Sequence, residues 1–427
     1  MKKTFTVGLL LALAGTTFAQ KTYIQCGTLI DTRNEVMNKE MTIVVEKNKV
    51  VEVKKGYQKG DANDVVINLK NKYVMPGLID MHVHIESQTA KDQFQKRIQY
   101  SSADVAFESA KYAKITLMAG FTTVRDLGGS NVNISLRGAI NRGSAIGPRI
   151  FTSGKTIATT GGHGDPSNGL GPNYTFSNEE VMNGVVNSPE EARQAVRQRY
   201  QDGADWIKIT ATGGVLSIAK NGKGPQFQDD ELKALIETAK DYGFKVAAHA
   251  HGADGMKRAL RAGVTTIEHG SFLDDECIAL FIEKGAYLVP TIIAGKTASD
   301  SAKIPGYYHP FVVKKALETG VMIQEAFARA YKAGVNICFG TDAGVYPHGY
   351  NAKEFVYMTE AGMPMMKALK AATITNAKVL DMENELGAIE PGKFADIIAV
   401  DADPVKDLTT MMNVGFVMKD GVVYKNQ

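Results

Sequence analysis

The stretch that decides the fold is Pro76-Gly77-Leu78-Ile79-Asp80-Met81-His82-Val83-His84. Its apolar residues surround a His-x-His pair, and Pro76-Gly77 breaks the chain just before it, so the segment is predicted to be a short buried strand that begins at a turn. Residues two apart in a strand point to the same side, so His82 and His84 are expected to project together from one strand end. Two neutral imidazoles held in this way suit zinc, although two satisfied core histidines would give the same pattern.

The composition is that of an ordinary globular protein. The chain has 427 residues, of which 44% are hydrophobic and 22% are charged, enough for a sizeable core. A net charge of +3 is close to neutral for this length and gives no case for nucleic acid or a membrane surface. The cysteines Cys26, Cys277 and Cys338 are odd in number and widely spaced, so no disulfide framework is expected.

The first residues have the pattern of a signal peptide. Lys2-Lys3 precede the apolar run at residues 5–14, and Thr17-Phe18-Ala19 is a small-x-small cleavage site ahead of Gln20. The apolar run is too short to cross a bilayer. We therefore exclude residues 1–19 from the fold and expect a periplasmic or secreted mature protein, with an uncleaved anchor as the alternative.

Short strands are predicted at both ends of the mature chain. Polar turns separate N-terminal strands, and the C-terminal strands alternate in the same way around the hairpin signal Asp420-Gly421. The predicted strands are residues 22–25, 41–46, 49–54, 65–68, 395–400, 413–419 and 422–424. Neither set is a complete domain, so residues 20–74 and 381–427 are expected to build one small β-sandwich together.

Between these ends, residues 75–380 alternate helices with short apolar strands. In one unit, Ser188-Pro189-Glu190-Glu191 is a capping box with proline at the first helical position, and the helix is predicted to end at Gly203. The predicted strands of this region are residues 78–83, 122–125, 149–152, 206–210, 245–249, 264–267, 286–289 and 335–339. Eight βα units predict an α/β fold, a (β/α)8 TIM barrel. A doubly wound open sheet is the alternative, but no glycine-rich phosphate fingerprint opens it.

Polar residues fall at the ends of these predicted strands. Lys208 lies in the fourth strand, His249 ends the fifth, His269 follows the sixth and Asp342 follows the eighth. With the two histidines of the first strand, they would meet at the barrel face that carries active sites in this fold. Each has a plain structural explanation, such as a helix cap or a turn hydrogen bond. All six together at strand ends favour a functional site.

These motifs resemble the amidohydrolase superfamily, in its imidazolonepropionase-like or prolidase-like branch. The resemblance covers nearly all of the mature sequence. Its motifs are the opening stretch, Trp206-Ile207-Lys208, His249-Ala250-His251-Gly252, Ile267-Glu268-His269-Gly270, Gly340-Thr341-Asp342-Ala343-Gly344 and Pro391-Gly392-Lys393-Phe394-Ala395-Asp396.

The resemblance implies a binuclear zinc site. One ion would be held by His82, His84 and Asp342, and the other by His249 and His269. Lys208, carboxylated on its amine by carbon dioxide, would bridge both ions, because a carbamate is an anionic bidentate ligand whereas an ammonium is a cation. Two zinc ions that share a water lower its pKa toward ~7. The implied reaction is amide hydrolysis by a metal-bridging hydroxide, with Asp342 accepting its proton and returning it to the leaving amine.

The substrate contacts are predicted on loops beside these ligands. The candidates are His163, His251, Ser87, Gly214, Val215 and Leu216. In similar enzymes, histidines placed like His163 and His251 contact the substrate carbonyl or carboxylate, although His251 could equally begin a helix. Backbone amides of the glycines in residues 213–217 could receive a carboxylate. Arg125-Asp126 is expected to be a structural ion pair, and Tyr307-Tyr308-His309 a lid or loop packing.

The favoured function is a binuclear zinc-dependent amidohydrolase that cleaves a dipeptide or an N-acyl amino acid. A ring-opening hydrolase of the imidazolonepropionase type, or a deaminase, is the second hypothesis. Mononuclear members of those groups carry a glutamate three positions after the strand-five histidine, where this chain has Gly252, and Lys208 also argues against them. A non-catalytic barrel scaffold is the third, but such proteins lose ligands and none is missing here. The expected partner is a small amide or dipeptide, with no nucleic acid and no membrane, and the chain is expected to form a homo-oligomer.

Overall fold

The computed structural model describes residues 20–171 and 182–427, so the predicted signal peptide lies outside the described residues. The strands are β1 (Lys21–Asp31), β2 (Val36–Glu46), β3 (Lys49–Lys55), β4 (Val65–Pro76), β5 (Leu78–Val83), β6 (Phe121–Asp126), β7 (Arg149–Thr152), β8 (Ile207–Thr210), β9 (Val246–Gly252), β10 (Thr266–Phe272), β11 (Tyr287–Val289), β12 (Asn336–Ile337), β13 (Ile397–Val400), β14 (Phe416–Lys419) and β15 (Val422–Asn426).

The α-helices are α1 (Gln93–Gln99), α2 (Ser102–Met118), α3 (Val132–Asn141), α4 (Pro189–Asp202), α5 (Asp229–Asp241), α6 (Ala253–Ala262), α7 (Asp275–Lys284), α8 (Ile292–Ala302), α9 (Pro310–Lys332), α10 (Lys353–Glu360), α11 (Met365–Lys370) and α12 (Asn376–Val379). A π-helical turn, Ala371–Thr375, joins α11 to α12, and a 3-10 helix spans Leu408–Met412. In the described part of the chain, no helix is long and apolar enough to cross a membrane.

Both ends of the chain contribute to one seven-stranded sheet, in the order β15-β14-β13-β4-β1-β2-β3. Antiparallel pairing of β4 with β13, which aligns Val74 with Ala399, joins the N-terminal strands to the C-terminal ones. At the far edge, the Val50 N–H donates to the Lys393 carbonyl over 2.9 Å, so β3 also lies beside the segment before β13. The two ends therefore share one sheet, and its division into a two-layer sandwich stays a prediction.

The central strands form two parallel sheets, β5-β6-β7 and β12-β11-β10-β9-β8. At one junction Val83 forms a single parallel bridge to Ala343, and at the other Ile157 forms one to Ile209. The eight parallel strands thus follow one another as expected for a barrel. Their backbone ladders, within the described residues, do not close into one continuous sheet.

The unit at residues 188–210 shows how local signals place one helix. The Ser188 hydroxyl accepts from the Glu191 N–H at 3.2 Å, and Pro189 is the first helical residue. Gly203 follows the helix with φ of 86°, a left-handed conformation that favours glycine. The Glu191 carboxylate accepts from the Asn187 N–H rather than from that of Ser188, so the reciprocal bond of the predicted capping box lies one residue earlier.

The strands that carry the site differ in length from the prediction. β9 continues to Gly252 and β10 to Phe272, so His251 and His269 lie inside strands rather than after them. These two strands stay paired up to Phe272 and Gly252, with an irregularity after His269. The apolar run ends earlier than the pairing, because both strands contain polar residues near their ends, and His249, His251 and His269 among them line the cavity.

The terminal sheet is tied to the parallel strands by a half-buried cation. Arg149, at the start of β7, donates to Asp396 at 2.8 Å and to Asp420 at 2.5 Å. Asp396 precedes β13 and Asp420 lies in the hairpin between β14 and β15, so one guanidinium holds two segments of the C-terminal end.

Candidate metal centre

A cavity of about 200 Å³ lies at the carboxyl ends of the parallel strands. Ten residues predicted for the site line it: His82, His84, His163, Lys208, Val215, Leu216, His249, His251, His269 and Asp342. Residues far apart in the sequence therefore meet in one place, because the parallel strands that carry or precede them end at the same face.

The first group of ligand-type side chains is His82, His84 and Asp342. The Nε2 atoms of His82 and His84 lie 3.5 and 3.3 Å from the same Asp342 oxygen, Oδ1. Ligands about 2.0–2.2 Å from one tetrahedral zinc stand roughly 3.3–3.5 Å apart. His82 Nε2 and Asp342 Oδ1 are buried without a hydrogen-bond partner, which is costly unless a cation occupies the space between them. The donor set therefore fits a divalent metal ion.

The second group contains three buried histidines, His249, His251 and His269, whose ligand atoms lie within 4.8 Å of one another. Their ring centroids are 4.7 to 4.8 Å apart. Sequence reasoning assigned His251 to the substrate, but its position does not separate it from the other two. The ring of His163 stacks on His249 with centroids 4.3 Å apart, so it borders this group directly.

Three of these imidazoles are oriented by a hydrogen bond at Nδ1, whereas Nε2 of His249 lies 3.2 Å from the Gly213 carbonyl oxygen. His84 Nδ1 lies 3.1 Å from the Gly128 carbonyl oxygen, and His269 Nδ1 lies 2.7 Å from the Thr291 hydroxyl. His251 Nδ1 lies 2.8 Å from the hydroxyl of Ser271. A ring held at Nδ1 presents Nε2 in a fixed direction, which is the usual support for a metal-binding histidine.

His82 is supported by a buried ion pair that sequence reasoning missed. Glu268 contacts Nδ1 of His82 through one carboxylate oxygen and the Arg125 guanidinium through the other, both at 2.9 Å. Arg125 also donates to the Met81 carbonyl at 2.7 Å. A charged residue inside the apolar strand Ile267-Glu268-His269 was the available sequence signal, because such a residue needs a buried partner.

The predicted ion pair between Arg125 and Asp126 is wrong. Adjacent residues of a strand point to opposite faces, and these two take separate partners. Asp126 accepts from the Asn133 amide at 2.7 Å and from the Ile85 N–H at 2.8 Å, so it fixes the chain just after His84.

Two site residues have backbone conformations that are unusual for residues other than glycine. φ is 74° at His269 and 60° at Asp342, and it is 51° at Thr291, the partner of His269. Such conformations cost on the order of 1–3 kcal/mol each. Neighbouring bonds hold them: the Thr341 hydroxyl donates to Asp80 at 2.6 Å, and Glu354 accepts from the N–H groups of the two residues after Thr291.

Burial sets the protonation of the cavity. It lowers the pKa of His84 to about 4 and the pKa of both His163 and His251 to about 3, so these imidazoles are neutral at pH 7. Burial also lowers the pKa of Lys208 to about 8 and raises the pKa of Asp342 to about 8, the latter opposed by Lys208 itself. Neutral imidazole is the form that binds metal, and an amine near its pKa can lose its proton.

Two predicted substrate contacts do not line this cavity. Ser87 is exposed, and its carbonyl lies 3.0 Å from His348 Nε2, because the chain turns outward after His84. Gly214 lies behind His163, where a Cβ would be only 2.2 Å from the imidazole ring. The neighbouring amide of Gly213 is bonded to the Gly224 carbonyl at 3.0 Å, so it is engaged within its own loop.

A second cavity, of about 360 Å³, shares His163 and Leu216 with the first. Tyr307, Tyr308 and His309 line it, so this segment borders the approach to the site rather than the ligand groups.

Metal-dependent hydrolases typically carry such a site: two histidine groups, a buried lysine and an aspartate at the carboxyl ends of parallel strands. The chain belongs to the amidohydrolase family, whose sequence profile matches residues 73–424. It is accordingly a hydrolase that acts on carbon–nitrogen bonds, as predicted.

Three known proteins illustrate the similarity. A Xaa-Pro dipeptidase crystallised with methionine in its active site is 49% identical, with a TM-score of 0.92, over 95% of this chain and 100% of that one. A prolidase complexed with N-methylphosphonate-L-proline is 31% identical, with a TM-score of 0.86, over 96% of this chain and 100% of that one. The ochratoxinase of Aspergillus niger is 30% identical over 97% of this chain and 89% of its own length. These comparisons confirm the predicted family and its prolidase-like branch.

Proposed function

We propose that the chain is a binuclear zinc enzyme that hydrolyses the amide bond of a dipeptide or an N-acyl amino acid. The observation that carries this proposal is the pair of three-residue ligand groups in one cavity, which Lys208 also lines. The orphaned ligand atoms of His82 and Asp342 support it, as do the prolidase-like relatives.

His82, His84 and Asp342 would hold one ion, and His249 and His269 the other, with His251 beside them. Ions bound there supply Lewis acidity and bring water closer to ionisation at neutral pH. Lys208, once neutral, could attack carbon dioxide through Nζ and lose a proton, which would give a carbamate, an anion suited to a position between two cations.

The chain's own side chains then orient the substrate and move the proton. Asp342 accepts a proton from the attacking water and returns it to the nitrogen of the leaving amine. His163, whose ring stacks on His249, would contact the substrate carbonyl. Most residues that line the cavity are buried, so these polar contacts would act in a medium of lower dielectric constant than water.

The alternative ring-opening or deaminase chemistry lacks support in the structure. The glutamate of the mononuclear groups would stand at Gly252, but a Cβ there would lie 2.0 Å from the Lys223 carbonyl oxygen. There is no room for that side chain without moving the backbone.

Lys208 provides the main test. Zinc-loaded Lys208→Ala should bind fewer than two ions per chain and lose nearly all turnover on dipeptides and N-acyl amino acids, and Lys208→Arg should fail too, because a permanent cation cannot ligate zinc. Elemental analysis and a substrate screen measure both quantities. Partial rescue of the alanine variant by acetate or propionate would support a bridging carboxylate. An alanine variant with wild-type metal content and turnover would overturn the proposal.

A free carboxylate on the leaving amino acid should matter. Lys315, buried behind residues 213–217, places a cation near the cavity. Among the described residues that line the cavity, Asp342 is the one carboxylate, so little negative charge there opposes a substrate carboxylate. Amidating the C-terminus of a good dipeptide should lower kcat/KM by roughly tenfold or more, which corresponds to one lost pairing of ~1.4 kcal/mol. Equal kcat/KM values for the acid and the amide would discard this placement of the substrate.

A further inference from the structure

One wall of the metal cavity is built from two packed helices, α8 and α9. Its members are small or apolar, apart from one threonine: Ala294, Gly295 and Ala298 from α8, and Thr319 and Ile323 from α9. We call this surface the α8–α9 wall. Ala294, Ala298 and Ile323 are buried, so the wall is part of the packed interior.

The wall carries no charge. Among the described residues that line the cavity, only Lys208 and Asp342 have side chains that ordinarily carry charge at neutral pH, and both belong to the proposed metal centre. Lys315 of α9 lies outside this lining, and its ammonium donates to the carbonyls of Gly214 and Ser217. A substrate side chain against the wall is therefore removed from water without a countercharge among the wall residues, so an ammonium or a carboxylate there would be strongly disfavoured.

We propose that the α8–α9 wall selects an uncharged, apolar amino-acid side chain of the substrate, and that Gly295 and Ile323 are the residues that set its size. This inference rests on the proposed function, and it adds the class of amino acid that the site accepts. Val215 and Val345, which also line the cavity, make the space beside the wall apolar as well.

The packing of the helices explains why these two residues set the size. A Cβ at Gly295 would lie 2.9 Å from Cγ2 of Ile323, and a Cβ at Gly320 would lie 2.3 Å from Cβ of Ser299. The two helices are therefore already in close contact and cannot separate cheaply. An added methyl group at Gly295 must displace the side chain of Ile323, which lines the cavity, whereas truncation of Ile323 must enlarge the cavity.

The first test measures binding, which does not depend on turnover. Titration calorimetry of the zinc-loaded protein should give free L-methionine and L-leucine at least about tenfold lower Kd than L-lysine and L-glutamate. Equal or tighter binding of lysine or glutamate would overturn the inference.

The second test uses variants. Gly295→Ala should raise the Kd of free leucine and methionine at least about tenfold relative to the Kd of free L-alanine. Ile323→Ala should instead shift the binding preference toward free phenylalanine. Val321→Ala is the matched control, because Val321 lies on the same helix and is 71% exposed. Variants that change the Kd of every amino acid by one common factor would show that Gly295 and Ile323 do not set the size of the accepted side chain. Absence of hydrolysis of every amide would instead overturn the proposed function, while the binding series still decides the inference.

Discussion

At the scale of single residues, Glu268 both neutralises the buried charge of Arg125 and orients the ring of His82. One of its oxygens faces the imidazole, the other faces the Arg125 guanidinium and accepts from the Thr266 hydroxyl, and the side chains of Glu268, His82 and Arg125 are almost wholly buried. Removal of this carboxylate would leave Arg125 as an uncompensated buried cation and His82 without the acceptor that fixes its ring. One substitution should therefore affect both stability and metal affinity.

Glu268→Met tests this link, because methionine removes both the charge and the carboxylate acceptor. We expect zinc affinity to fall by about 10–100-fold, and the free energy of unfolding of the metal-free protein to fall by about 3–5 kcal/mol. Competition with a chromophoric chelator measures the first quantity and urea unfolding the second. The double variant Arg125→Met/Glu268→Met should recover stability but not zinc affinity, because both charges are gone while His82 remains unsupported. Wild-type zinc affinity in the single variant would contradict the role given to Glu268.

The candidate ligands could be predicted from the sequence, but their supports could not. His82, Lys208 and Asp342 each stand beside a short apolar run, so strand periodicity alone places them at strand ends. The partner of Arg125 is 143 positions away, and nothing near Arg125 in the sequence points to Glu268. Ser87 lies away from the cavity lining for a related reason: the chain around His84 is fixed by bonds to distant segments, including Ala343.

At the scale of elements, Lys315 of α9 fastens the loop that follows β8. Its ammonium donates to the carbonyls of Gly214 and Ser217, both at 2.7 Å, and the loop between them carries Val215 and Leu216 into the cavity. No carboxylate pairs with Lys315 within the described residues, so its charge is stabilised by carbonyl dipoles alone.

Lys315 predicts a pH-dependent contribution to stability. Burial lowers its pKa from 10.5 to about 8, so between these values the unfolded chain binds more protons than the folded one, and stability rises with pH. The free energy of unfolding of the wild type, minus that of Lys315→Met, should therefore increase from pH 8 to pH 10. Below pH 8 the difference should be constant. A difference that stays flat or decreases above pH 8 would contradict the prediction.

The lengths of the elements were less predictable than their order. Apolar runs mark where β9 and β10 begin, but both strands continue through polar residues to Gly252 and Phe272 because the backbones remain paired. Conversely, β12 has only two residues, although the apolar run around it is longer. Pairing depends on the neighbouring strand, which composition does not reveal.

At the scale of the whole molecule, Arg149 connects the terminal sheet to the parallel strands. Arg149→Met leaves Asp396, which is buried, without this cation and should lower the free energy of unfolding by about 1–3 kcal/mol. Arg33→Met is the matched control, because the Arg33–Glu390 pair is exposed and should contribute no more than about 1 kcal/mol. Calorimetric unfolding of both variants measures the difference, and equal losses would show that Arg149 does not couple the two parts.

The overall arrangement was predictable because both ends of the chain share alternating strands and the middle repeats one βα unit. The gaps in the ladder were not. The single bridges Val83–Ala343 and Ile157–Ile209 replace regular pairing at both junctions. Their positions depend on how two distant segments align with each other, and the hydrophobic periodicity of each segment alone does not give that alignment.

The left-handed backbone at Thr291, His269 and Asp342 has a consequence for engineering. Glycine adopts this conformation without the cost of about 1–3 kcal/mol that other residues carry. A library challenged by heat and scored only on survival would therefore enrich glycine at these positions, and every such survivor would lack a proposed ligand or the partner that orients one. Thermostabilisation of this enzyme should thus hold these three codons constant and look for gains elsewhere.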